Sequence, residues 1–105
     1  MELHEVPTRI ALVDHDGWSL HDAKLTGLHE RGAVAEVHFD LPVRCIDRPV
    51  VLEVQLDDES IVALCEHETP GKVDPGVLHL RFVAPIEVHH GSLGVLIDLH
   101  NARFG

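Results

Sequence analysis

Apolar and polar residues alternate along most of this chain, which is the period of a half-buried β-strand. The clearest run is Val50 to Leu56, where Val50, Leu52, Val54 and Leu56 share one side while Val51, Glu53 and Gln55 take the other. Leu78, Leu80 and Phe82 repeat the pattern against His79, Arg81 and Val83, and Ile61, Ala63 and Cys65 repeat it more weakly. Thr8 to Val13, Trp18 to Leu25 and Gly32 to Phe39 complete a set of six predicted strands. Turn-forming residues at Asp14 to Gly17, Pro42 to Pro49, Asp57 to Glu59 and Thr69 to Gly76 separate them. That regular spacing points to an all-β sandwich or barrel, and closure into an antiparallel barrel removes exposed strand edges.

After Pro85 the period changes. Leu93, Leu96, Ile97 and His100 fall at helical spacing, and Ser92 is placed to cap the free amides of a first turn. The pattern predicts a short C-terminal helix over Ser92 to Ala102. Such a helix is too short to stand alone, and Gly94 weakens it further, so it needs to dock Leu93, Leu96 and Ile97 on the barrel or on a partner.

Length and charge narrow the function classes. At 105 residues with 45% hydrophobic content, residues 1–105 make one domain with one core. With 18 acidic against 8 basic residues, the formal charge of −10 repels nucleic-acid backbones and anionic lipid surfaces, so neither DNA nor RNA is an expected partner. Ten histidines make that charge movable in mildly acid medium. Cys45 and Cys65 are isolated, no secretory leader is evident and the apolar runs are too short to span a bilayer. The expectation is a reduced, cytoplasmic protein without membrane insertion, with a Cys45 to Cys65 disulfide as the minor alternative.

Two stretches carry candidate chemistry. Glu5 to Arg9 (EVPTR) leads an arginine into the first strand, and Gly27 to Gly32 (GLHERG) forms a glycine-ended turn between the second and third strands. Six strands followed by a helix, with these two elements in these places, resemble the PilZ domain of bacterial cyclic di-GMP signalling. In that family an R-x-x-x-R lead-in and a [DN]-x-S-x-x-G turn grip the dinucleotide. The resemblance implies a six-stranded antiparallel PilZ-like β-barrel, and it places the ligand-binding positions at Glu5, Arg9, Gly27, His29, Arg31 and Gly32. Here Glu5 stands where the first arginine is expected, Gly27 where the acid is expected and His29 where the serine is expected; Arg9 and Gly32 are retained. Charge-assisted hydrogen bonds contribute about 1.5–3 kcal/mol each, and a carboxylate at Glu5 adds repulsion, so the resemblance implies a kept scaffold with cyclic di-GMP binding weak or lost.

The expected role is therefore a non-enzymatic, bacterial signalling adaptor. It would act by protein contacts in motility, pilus or exopolysaccharide control, use no cofactor, and present Trp18, Leu93, Leu96 and Ile97 to its partner. The alternative is a working cyclic di-GMP receptor using Arg9, Arg31 and the Gly32 turn, helped by protonated His29 or His4. A third reading is a small metal-dependent barrel enzyme drawing on His4, Glu5, His21, His29 and Glu30, although no tight ligand signature is present and no metal site is expected. Ser19, His21 and Asp22, or Cys65 and His67, supply nucleophile and base types without a recognisable catalytic context. The connection from Asp40 to Pro49, with Arg44 and Arg48, reads as a solvated loop.

Overall fold

A computed structural model describes residues 5–39, 45, 47–56, 59–68, 76–83, 87–89, 97 and 102. Its strands are β1 (Thr8–Asp14), β2 (Gly17–His29), β3 (Gly32–Glu36), β4 (Val50–Leu56), β5 (Glu59–His67), β6 (Val77–Phe82) and β7 (Glu87–His89). The first six close into an antiparallel barrel in the order β4-β1-β2-β3-β6-β5, with β5 returning to β4. Chain order makes two three-stranded meanders, β1-β2-β3 and β4-β5-β6. These join to each other through β1–β4 and β3–β6. The short β7 adds to the N-terminal half of β5, beside the part that β6 leaves unpaired.

Alternation decides which side of each strand faces in. Ile10 and Leu12 of β1, Leu25 of β2, Ala33 of β3, Val50, Leu52 and Val54 of β4, Ala63 and Cys65 of β5 and Leu78 and Leu80 of β6 form one buried cluster. Register agrees with this: Ile10 stands opposite Leu52, Leu52 opposite Ala63, and Ala33 opposite Leu80. Small alanines on β3 against leucines on β6 fill the space where those strands close the barrel. Cys45 and Cys65 are both buried thiols that form no disulfide with each other. Burial of Cys65 pushes its thiol up to about 12, which keeps it protonated and unreactive.

The turns follow their residue chemistry. At the β1–β2 hairpin the Asp14 carboxylate accepts the Asp16 amide at 2.8 Å, and Gly17 takes a φ of 114° that side chains rarely adopt.

The structure moves two strand ends by more than one residue. β2 was expected to stop at Leu25 but runs to His29, because a register shift between Leu25 and Gly27 carries the strand through a residue that reads as a turn. The Gly27 to Gly32 turn therefore shrinks to a tip at Glu30 and Arg31. β3 was expected to reach Phe39 and instead ends at Glu36. Of the helix expected over Ser92 to Ala102, Ile97 and Ala102 are described, both as helical, and the rest lies outside the described residues.

Candidate functional site

Arg9 leaves the outer side of β1, between the inward-facing Thr8 and Ile10. Register puts Asp22 of β2 on one side of it and Glu53 of β4 on the other, so three charged residues stand in a row across three strands. Arg9 turns toward Glu53: its Nε donates to Oε1 at 2.7 Å, and its Nη2 reaches the same oxygen at 2.5 Å. The Glu53 side chain is 3% exposed and that of Arg9 32%, so a nearly dry carboxylate is neutralised by a half-wet guanidinium. Pairing of this kind is what allows a carboxylate to remain in such a place.

A cavity of about 590 Å³ opens beside this pair. Its charged wall consists of Glu5, Arg9, Asp22, Lys24 and Glu53, with His38 and Gln55 adding polar groups. Three carboxylates face two cations there, so the wall carries no surplus positive charge for a phosphate. The cavity floor is held by backbone contacts of the lead-in: Gln55 donates its amide to the Pro7 carbonyl at 3.0 Å, and the buried Thr8 hydroxyl donates to the Val6 carbonyl at 3.0 Å.

Glu5 and Arg9 thus share one cavity, whereas Gly27, His29, Arg31 and Gly32 do not line it. Those four belong to the far end of β2 and the start of β3. From Asp22 to His29 the strand covers roughly 20 Å along its length. At the tip, the Arg31 amide donates to His29 Nδ1 at 3.4 Å, and the Arg31 carbonyl accepts the Phe82 amide at 2.8 Å. Gly32 has a steric role: a Cβ built on it would lie 1.9 Å from the Leu80 carbonyl oxygen. Close approach of β3 to β6 is reason enough for a glycine there.

Of the expected contact residues, Trp18 and Ile97 sit on the outward side of the barrel, away from the core. Ile97 is 7% exposed and packs with Ala11, next to partly buried Trp18, Leu20, Val51 and Val62. Leu93 and Leu96 lie outside the described residues.

The described metal candidates Glu5, His21, His29 and Glu30 do not converge, and His4 lies outside the described residues. Among the described residues, the group whose ligand atoms approach one another is Asp14, His15 and Asp16 at the exposed β1–β2 turn, not His21, His29 and Glu30. Ser19 Oγ does lie 3.0 Å from His21 Nε2, but the His21 ring packs against Phe39, and alternation places Asp22 on the other face of β2. Cys65 and His67 share the inner side of β5. His67 is 5% exposed and its Nε2 has no hydrogen-bond partner among the described residues. Burial lowers its pKa, partly opposed by a hydrogen bond to the Cys45 backbone and by the nearby Asp47 carboxylate. His67 is therefore a neutral core side chain at neutral pH.

Sequence reasoning missed Glu53 as a member of the site. The signal was present in the outward position of Glu53 on β4, but its meaning depends on the β1–β4 register that sets it opposite Arg9. Comparison with protein-family models, with curated proteins and with solved structures finds no match. No helix among the described residues is long and apolar enough to cross a membrane.

Proposed function

We propose that this barrel is a non-enzymatic adaptor of the PilZ-like kind, acting through protein contacts in bacterial signalling, with cyclic di-GMP binding weak or lost. The observation that carries this reading is the Arg9–Glu53 pair. The arginine that the resemblance would assign to a phosphate is held by a buried carboxylate, and releasing it would take away the guanidinium that offsets this nearly dry charge. Glu5 on the same cavity wall adds like charge against an anionic ligand. Gly32, the other retained position, has a packing explanation that needs no ligand.

A second reading keeps the nucleotide. Lys24 and His38 line the cavity with Arg9, and they are cations or latent cations on one wall. Calorimetric titration of the full chain with cyclic di-GMP separates the two. The adaptor reading expects no binding heat at micromolar ligand. Micromolar binding that disappears in the exposed-site variant Lys24→Ala would overturn it in favour of a receptor.

A further inference from the structure

Side chains on the outside of a small soluble barrel are ordinarily polar, because the inside is where apolar groups escape water. One outward row here is apolar across four strands. Leu20 of β2 stands opposite Ala11 of β1, Ala11 opposite Val51 of β4, and Val51 opposite Leu64 of β5. The row is covered unevenly. At Ala11 it is completely buried, with Ile97 of the same chain against it. At its β5 end Leu64 is 40% exposed, and Val83, whose amide donates to the Leu64 carbonyl at 3.0 Å, is 47% exposed. The chain's own Ile97 shows that this face accepts an aliphatic side chain, and the uncovered end continues the same surface.

Charge selects what fits there. Glu66 of β5, bonded to Arg81, and the exposed Glu68 just after the strand lie beyond Leu64 on this side. Asp47 and Arg48 border a cavity with Val83, so among the described residues carboxylates outnumber cations three to two around this end. A second copy of this chain would bring another formal charge of −10 to the face. Like charge disfavours that pairing, and a cationic partner gains from it.

We propose that the Leu64–Val83 end of this outer face docks an amphipathic, cationic segment of a partner protein, with an aliphatic anchor against Leu64 and Val83 and basic flanks toward Glu66 and Glu68. The proposal rests on the adaptor reading and specifies the partner's chemistry. The aliphatic anchor supplies the stability of the contact and the charges supply its selectivity.

The test titrates the full chain against a synthetic leucine–lysine amphipathic peptide and its leucine–glutamate counterpart, by fluorescence anisotropy at about 0.15 M salt. The lysine peptide is expected to bind at least about tenfold tighter than the glutamate one. Leu64→Glu is expected to weaken it about tenfold although it adds negative charge, and Val83→Ser to weaken it by a smaller factor. Circular dichroism of both variants confirms that they fold, and Val83→Ser serves as the readout if Leu64→Glu does not. Binding that is unchanged or tightened in these folded variants reveals charge attraction alone and overturns the proposal. A concentration-dependent dimer in sedimentation that Leu64→Glu dissolves overturns it too, assigning the face to a second copy. Either failure leaves the adaptor reading standing, whereas cyclic di-GMP binding would remove that reading without altering the peptide result.

Discussion

Arg9–Glu53 and Arg81–Glu66 are the same chemical pair set in the same way, each with its two residues directly opposite on neighbouring antiparallel strands. They differ in burial. The Glu53 side chain is 3% exposed, whereas the Glu66 and Arg81 side chains are 45% and 56% exposed. In water the second pair exchanges hydration for contact at little net gain, and salt screens what remains. In the first, one partner is already desolvated, so the other has become a structural necessity. A residue pattern that looks identical in the chain thus has two meanings, and the surroundings supplied by the fold decide between them.

The sharpest way to break this contrast is to remove the arginines one at a time. Arg9→Ala is expected to lower stability by about 3 kcal/mol in urea unfolding, because it removes the guanidinium that offsets a nearly dry carboxylate. The double variant Arg9→Leu/Glu53→Leu should recover most of that loss, since an apolar pair of similar volume removes the desolvation cost altogether. A loss no greater than that of Arg81→Ala would show that burial does not separate the pairs.

Gly32 tests the same end of the barrel as Arg81, which stands opposite it, by sterics instead of charge. Gly32→Ala is expected to cost about 2 kcal/mol, with no dependence on salt, because its Cβ would press on the Leu80 carbonyl. A neutral result would mean that β3 can shift away from β6, and the packing account of this glycine would fall.

His67 extends the comparison to a buried group that is kept uncharged. Its folded pKa lies below the unfolded value of 6.5, so the unfolded chain binds the proton more readily. Its contribution is accordingly complete above that pH and declines as pH falls through 6.5 toward the lowered folded value. Measured between pH 8 and pH 5, the pH slope of stability should be shallower in His67→Leu than in the unaltered chain; an identical slope would refute the assignment. Asp47, Glu66 and Glu68 also bear on this region, so the difference between the two slopes is the quantity to read.

The smallest effect belongs to the exposed pair. Arg81→Ala should change stability by less than about 0.5 kcal/mol, and raising the salt should erase even that.

Much of the strand layout was legible in the chain because alternation survives wherever one side of a strand is dry. Val50 to Leu56 shows this best: its expected limits coincide with β4. What alternation does not encode is register, and the site depends on register. Glu53 was placed on the outward side of β4, but its pairing follows from standing opposite Arg9, a relation between residues 44 positions apart. Gly27 misled for a local reason: glycine signals a turn, yet a bulge next to it let β2 continue. Glu5 and Arg9 came together as expected of neighbours on one lead-in, while the β2 extension carried the tip residues away from their cavity.

The two-meander ring has a kinetic consequence. Each meander ends in an edge that its own half cannot pair, and both closures, β1–β4 and β3–β6, join residues distant in the chain. Neither half therefore has a complete hydrogen-bonded perimeter by itself, and the loop between them must close before either seam forms. Folding is accordingly expected on the millisecond-to-second scale of non-local β-topologies, with the unpaired edges of β1 and β3 as the surfaces most open to mispairing until the second meander arrives.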